Sequence, residues 1–174
     1  MTGATSQAAV VRTMHAEDVA SVLDIQSCCY DESKLESHQS FLAKLVASPG
    51  TCFLALTDGC PAGYLVAVPA EAGCPPPLNS PNCAVPPTAN ALYLHDLAVR
   101  PAARGTGTAA ALVEAYFQAL GQSQLQLACL TAVNASASFW ERHGFRATAP
   151  AGADSAHLAT YGEGARYMSM QVRA

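Results

Sequence analysis

Residues 97–109 read LAVRPAARGTGTA, and this stretch decides how the chain is interpreted. An apolar run is followed by a proline and by a glycine-rich turn, before a helical pattern begins. Because Gly105 and Gly107 carry no Cβ, the backbone can turn tightly there with its N–H groups pointing outward. The first N–H groups of a helix are unpaired and lie at its positive end. The turn therefore predicts a phosphate-binding loop, with Arg104 as a charged donor.

Two other kinds of phosphate-binding loop do not fit this turn. The nucleoside-triphosphate loop requires Gly-Lys-Ser or Gly-Lys-Thr, and neither tripeptide occurs in the chain. The dinucleotide fingerprint is met formally by Gly105, Gly107 and Ala110, but residues 100–104 separate it from the preceding strand. The next strand also lacks the acidic residue that holds a ribose, so a dinucleotide site is excluded.

Hydrophobic periodicity and breaker residues place the other elements around this turn. The order β-α-α-β-β-β-α-β-α-β-β predicts an α/β fold, with a mixed sheet and helices on its faces. We expect one domain over residues 9–172, with residues 1–8 as a disordered N-terminal tail. Strands are predicted at 9–14, 52–57, 62–68, 91–99, 125–133, from 145 and at 165–172, and helices at 16–29, 35–47, 108–120 and 136–143.

Composition limits the classes of function that remain. The 174 residues are 51% hydrophobic and 13% charged, which is ample for a buried core. A net charge of −4 argues against nucleic-acid binding, because that function needs many Lys and Arg residues to displace counterions. No run approaches the ~20 apolar residues of a membrane span, and the first residues do not resemble a signal peptide.

The seven cysteines form no regular framework and no Cys-x-x-Cys pair. The spacing of a zinc site is therefore missing, and no metal is predicted. Free thiols in this number indicate a reducing compartment, so we expect a cytoplasmic protein.

The quoted stretch resembles the GNAT superfamily of acyl-CoA N-acyltransferases. Members carry Arg/Gln-x-x-Gly-x-Gly/Ala after a strand that ends in an apolar-x-Val step and a proline, which matches residues 97–109. A second family feature, an Asn followed by an aromatic residue and Gly-Phe, matches NASASFWERHGF at residues 134–145. Both motifs occur in the family's order, and the flanking elements match from about Val10 to Val172.

The resemblance implies an N-acetyltransferase that uses acetyl-CoA as co-substrate and a primary amine as acceptor, in a ternary complex. It also implies two splayed strands whose exposed backbone edge pairs with pantetheine, while the glycine-rich loop holds the pyrophosphate. A helix N-cap is the alternative role for Asn134. The implied cofactor-binding residues are Leu97, Ala98, Val99, Arg104, Gly105, Thr106, Gly107, Thr108, Ala109, Asn134 and Trp140.

An amine attacks a thioester only as the neutral base, so a general base is useful. Tyr93 and His95 are expected to share one face of their strand with Leu97 and Val99, with Asp96 on the opposite face. In the serotonin-acetylating members, histidines occupy the positions of Tyr93 and His95. The resemblance therefore makes His95 the candidate base, with Tyr93 beside it at the catalytic position. A histidine that is hydrogen-bonded within the core is the alternative.

Trp140 departs from the family pattern. Many members carry a tyrosine there, whose hydroxyl protonates the departing thiolate, whereas an indole N–H has no useful acidity. A non-catalytic acyl-CoA-binding sensor on the same fold is therefore the alternative function. The acceptor stays open among polyamines, aminoglycosides, amino acids and protein N-termini, and the last strand could pair with a second copy to form a homodimer.

Residues 71–90 form a long proline-rich segment, with six of the eleven prolines. Proline lacks the backbone N–H, so this segment is neither helix nor inner strand. The resemblance places it at the mouth where an acceptor enters, as a semi-rigid flap. The alternative is a surface excursion with no role.

Overall fold

The computed structural model describes residues 8–151 and 155–172, so the predicted disordered tail lies, apart from residue 8, outside the described residues. The elements follow the predicted order with one additional helix. The strands are β1 Val10–Thr13, β2 Cys52–Thr57, β3 Cys60–Ala70, β4 Ala91–Val99, β5 Leu127–Ala132, β6 Arg146–Ala147 and β7 Arg166–Gln171. The helices are α1 Val19–Ser27, α2 His38–Ala47, α3 Thr108–Gln122, α4 Ala137–Arg142 and α5 Ser155–Ala159.

The strands form one mixed sheet in the order β1-β2-β3-β4-β5-β7-β6. Neighbouring strands are antiparallel except β4 and β5, which are parallel. A parallel pair needs a crossover connection, and α3 provides it. The prediction of an α/β fold with a mixed sheet is confirmed.

Helices cover both faces of the sheet and create two layers of core. On one face, α3 buries Leu112 and Tyr116, whose helical spacing forms a single apolar stripe. On the opposite face, α1 and α2 bury Ile25 and Phe41 against Tyr64 of β3. The sheet is therefore enclosed where β4 crosses the middle of the molecule, which keeps water from its central residues.

A β-bulge in β4 changes which side chains share a face. Val66 of β3 pairs with Asp96, and the next residue of β3 pairs with Leu94, so His95 is the additional residue. Tyr93 pairs with Val68, two residues from Val66, so Tyr93 and Asp96 lie on the same face.

The predicted arrangement of the β4 side chains is therefore wrong. Leu97 and Val99 pack with the α3 cluster, on the face opposite to Tyr93. Asp96 lies on the face of Tyr93 and not opposite to it, because the bulge interrupts the alternation of side chains.

The region after β5 also differs from the prediction. Phe145, predicted to open a strand, is a buried core residue, and β6 begins one residue later and has only two residues. Helix α5 was not predicted. It begins the second described range, and the buried Tyr161 follows it by two residues.

Candidate functional site: the cleft between β4 and β5

The two parallel strands separate part of the way along their length. They pair only where Ala91–Leu94 meets Leu127–Leu130, although β4 continues to Val99 and β5 to Ala132. The gap opens into a cavity of about 780 Å³, lined by residues of both strands. A strand edge without a partner can pair with the amide groups of an extended ligand.

One end of the cavity is formed by the turn between β4 and α3. Gly105 has φ +76° and Gly107 has φ +87°, in the left-handed region that favours glycine. A Cβ built on either residue meets no atom within 4 Å, so the backbone there borders open space. Gly107 is the N-cap of α3, and no side chain caps this 15-residue helix. The turn thus presents a helix N-terminus to the cavity, which is a favourable position for phosphate oxygens.

Most of the predicted cofactor residues meet at this cavity. Thr106 and Thr108 do not line it: Thr108 is buried, and the two hydroxyl groups lie 2.9 Å apart. Asn134 is exposed, and the N-cap of α4 is Ser136, so the alternative role of Asn134 as an N-cap is wrong. The predicted residues that line the cavity are Leu97, Ala98, Val99, Arg104, Gly105, Gly107, Ala109, Asn134 and Trp140.

Trp140 belongs to the core as well as to the cavity wall. It is 6% exposed, and its ring packs edge-on against Phe139 and Phe145. The indole therefore shapes the wall beside β5.

His95 lies at the other end of the cavity, with both ring nitrogens engaged. Its Nε2 is 2.6 Å from Oε1 of Glu36, and its Nδ1 is 3.2 Å from the hydroxyl of Tyr161. The imidazole itself has no exposed surface. Tyr161 lines the cavity and donates to the carbonyl oxygen of Pro76 at 2.6 Å. The hydroxyl of Tyr161 therefore connects the buried His95 to the cavity.

Tyr93, the other predicted catalytic residue, is buried and is not among the residues that line the cavity. Its hydroxyl lies 2.6 Å from the hydroxyl of Thr131, which does line the cavity. Burial raises the pKa of Tyr93 above its ordinary value, so the phenol stays protonated.

Glu36 is the centre of a buried polar cluster. Lys44 donates to its Oε2 at 2.8 Å, Ser40 at 2.7 Å, and the backbone N–H of Asn79 at 2.8 Å. Burial alone would raise the pKa of Glu36, but the charges and hydrogen bonds of His95 and Lys44 lower it below its ordinary value. Glu36 is therefore a carboxylate, and it holds the Nε2 side of His95.

Asp96 forms a second polar cluster on the same strand. Tyr64 donates to Oδ2 at 2.5 Å, and the hydroxyl of Tyr30 lies 2.7 Å from Oδ1 and 2.9 Å from the carbonyl oxygen of Leu97. One hydroxyl proton of Tyr30 cannot serve both acceptors. A proton on Asp96 donated to Tyr30 frees the Tyr30 proton for Leu97, and desolvation correspondingly raises the pKa of Asp96.

Sequence reasoning missed Glu36, Lys44 and Tyr161. A signal existed for the first two: Ser40 and Lys44 lie four residues apart in α2, and Glu36 lies four residues before Ser40, just ahead of the N-cap Ser37. That spacing puts Ser40 and Lys44 on the buried face of α2, and both donate to Glu36. No local pattern marks Tyr161.

Among the described residues, no group of three or more His, Cys, Asp or Glu side chains is placed to hold a metal ion. No helix in this part of the chain has the length and apolar character needed to cross a membrane.

Comparisons with known proteins assign the family. The model of the acetyltransferase (GNAT) family matches residues 19–145, so this chain belongs to that family. None of the curated proteins that were compared with the chain matches it significantly.

Solved structures share the fold at low sequence identity. Ard1 from Thermoplasma volcanium is 17% identical, with 97% of this chain and 100% of that chain covered and a TM-score of 0.73. Rv2747 from Mycobacterium tuberculosis, in complex with CoA and NLQ, is 18% identical, with coverages of 94% and 99% and a TM-score of 0.68. The ribosomal-protein-S18-alanine N-acetyltransferase from Escherichia coli is 15% identical, with coverages of 95% and 95% and a TM-score of 0.66.

Proposed function

We propose that this protein transfers the acetyl group of acetyl-CoA to a primary amine by direct attack in a ternary complex. The observation that carries the proposal is a single cavity with an uncapped, glycine-led helix N-terminus at one end and His95, linked through Tyr161, at the other. Such a cavity can hold a phosphate-bearing cofactor and a reacting amine together.

The cofactor would lie along the gap between β4 and β5. The N–H groups of the turn that contains Gly105 and Gly107 would hold the pyrophosphate, with the Arg104 guanidinium as a charged donor. The unpaired part of β4, residues 95–99, would pair with the amides of pantetheine. This arrangement directs the thioester towards the His95 end.

The proton of the attacking amine would leave through Tyr161 to His95. With Nε2–H donated to Glu36, neutral His95 would accept at Nδ1 when the single hydroxyl proton of Tyr161 turns from the carbonyl oxygen of Pro76 to His95. The amine nitrogen forms a bond to the carbonyl carbon and the bond from that carbon to sulfur breaks. The amine proton passes to the Tyr161 oxygen as the Tyr161 proton passes to His95. Tyr93 would help to hold this end of the site through Thr131.

The departing thiolate needs no dedicated acid. Trp140 cannot supply a proton, and coenzyme A is a good leaving group, so water can protonate the thiolate. Six cysteines are free thiols, which supports a reducing, cytoplasmic environment for the enzyme: Cys28, Cys29, Cys52, Cys60, Cys83 and Cys129.

The test is turnover of acetyl-CoA with a panel of primary amines, followed by mass spectrometry of the acetylated amine. A thiol-reactive dye is unsuitable because the protein carries seven cysteines. We expect acetylation of at least one class of amine. Tight binding of acetyl-CoA without turnover of any amine would instead support the non-catalytic acyl-CoA sensor.

A further inference from the structure

The charge of the cavity lining limits which amine can enter. Among the described residues that line the cavity, Asp96 is the only acid, and the basic side chains are Lys34, His95 and Arg104. Arg104 lies at the glycine-rich turn, so Lys34 and His95 are the basic groups of the acceptor end, and each already pairs with a carboxylate, Asp31 and Glu36 respectively.

Neither Asp96 nor Glu36 can pair with a bound cation. The oxygens of Asp96 are occupied by the hydroxyl groups of Tyr30 and Tyr64. Glu36 does not line the cavity, and its oxygens bind His95, Lys44, Ser40 and the N–H of Asn79. A second ammonium group inside the acceptor end would therefore remain without a counterion.

The remaining walls of this end are apolar or aromatic. Leu78, from the proline-rich segment, packs against the cluster that contains Tyr161, and both residues line the cavity. Lys34 is half-buried and pairs with Asp31 at 3.0 Å. The side chain of Asp31 is 62% exposed, and Asp31 is not among the residues that line the cavity. The charged group that this end presents to the cavity is thus the ammonium of Lys34, whose counterion lies outside the lining.

We propose that the acceptor is a monoamine with an apolar body, and that polyamines and aminoglycosides are excluded by the charge of this cavity. The proposal rests on the proposed acetyl transfer and names its substrate class. The single amine nitrogen of the acceptor transfers its proton to Tyr161, and the apolar body of the acceptor lies against Leu78 and the tyrosine rings. A polycation would have to leave further charges buried and unpaired, beside Lys34.

A matched pair of amines tests this proposal. Pentylamine and 1,4-diaminobutane have the same number of non-hydrogen atoms. Where pentylamine ends in a methyl group, 1,4-diaminobutane ends in a second ammonium group. We expect pentylamine to have the higher kcat/KM by about tenfold or more, because only the diamine buries an unpaired charge. Equal values, or a preference for the diamine, would overturn the proposal.

Binding separates this proposal from the proposed function. Calorimetry of both amines with the protein–CoA complex should show the same preference for pentylamine. If pentylamine binds more tightly but is not acetylated, the substrate class stands and acetyl transfer fails. If turnover occurs but the diamine binds as tightly as pentylamine, acetyl transfer stands and the substrate class fails.

A change of the cavity wall provides the second variant. Leu78→Asp places a carboxylate at the acceptor end, and we expect the preference to shift towards 1,4-diaminobutane by about tenfold relative to wild type. Leu78→Asn is the matched control, because it has the same size and polarity without the charge, and it should not produce this shift. An equal shift in both variants would contradict the role of charge.

Discussion

At the scale of single residues, His95 is set apart by its position in the bulge of β4. His95 is the additional residue of the bulge and has no pairing partner on β3. Both of its ring nitrogens have partners from distant parts of the chain. The anionic Glu36 holds Nε2–H, and Nδ1 can accept a proton from Tyr161 when that hydroxyl turns away from the carbonyl oxygen of Pro76. The core-histidine alternative and the catalytic role are therefore compatible, because Tyr161 links the buried ring to the cavity.

Replacing His95 tests its role as the base. We expect His95→Gln to lower kcat/KM by about 10²-fold, a typical loss for a general base. The affinity for coenzyme A should stay unchanged in the variant, because His95 lies at the end of the cavity opposite to the glycine-rich turn. The control is His38→Gln, since His38 is exposed on α2 and outside the cavity lining. An unchanged kcat/KM in His95→Gln would remove His95 from the mechanism.

At the scale of elements, the cofactor end depends on one connection, from β4 to α3. The two positive-φ glycines follow the end of β4 and lead into α3, a helix of four turns. The unpaired N–H groups of this helix face the cavity. The proline-rich segment shapes the opposite end. It is held by hydrogen bonds from the N–H of Leu78 to Thr160, from the N–H of Asn79 to Glu36, and from Tyr161 to the carbonyl of Pro76.

A bulky side chain in the glycine-rich turn tests the cofactor end. We expect Gly107→Val to weaken coenzyme A binding by about tenfold or more, because the added atoms occupy the space beside the N–H groups of the helix. Isothermal calorimetry measures the effect.

Gly59→Val is the control for backbone strain. Gly59 also has a positive φ of +75° with open space at its Cβ, and it lies in the turn between β2 and β3, away from the cavity. Both variants should lose similar stability, while only Gly107→Val should lose affinity. Equal affinity for coenzyme A in wild type and Gly107→Val would disprove the phosphate-loop assignment.

At the scale of the whole molecule, Glu36 joins parts of the fold that are remote in sequence. It connects α2 through Lys44, β4 through His95, and the proline-rich segment through the N–H of Asn79. The side chains of Glu36 and Lys44 are 1% and 2% exposed, so this ion pair is shielded from solvent. Removal of one partner leaves the other charge buried, which is more destabilising than removal of both.

Glu36→Gln tests this connection. We expect the free energy of unfolding at pH 7 to fall by about 3–5 kcal/mol, since Lys44 is left without its carboxylate. The double variant Glu36→Gln/Lys44→Met should recover part of that loss because it removes the stranded charge. Urea denaturation measures both changes. A double variant that is less stable than Glu36→Gln would contradict the explanation.

The same carboxylate makes the stability depend on pH. The pKa of Glu36 is lowered on folding, so its contribution is fully present above the unfolded value of about 4.3 and is lost as the pH falls below it. The difference in unfolding free energy between wild type and Glu36→Gln should therefore be largest above about pH 4.3 and shrink in more acidic solution. A difference that stays constant between neutral and acidic pH would show that Glu36 is not the titrating group.

The sequence by itself determined the order of elements, the mixed sheet and the glycine-rich turn, because each depends on local preferences. Glycine at positive φ, proline after a strand and the apolar stripe of α3 are all read over a few neighbouring residues. The tertiary structure alone decided what surrounds His95. Glu36 is 59 residues before it and Tyr161 is 66 residues after it, and the bulge that moves Asp96 to their face arises from pairing with β3. Contacts over such separations are set by how the sheet and helices pack, and no local pattern encodes them.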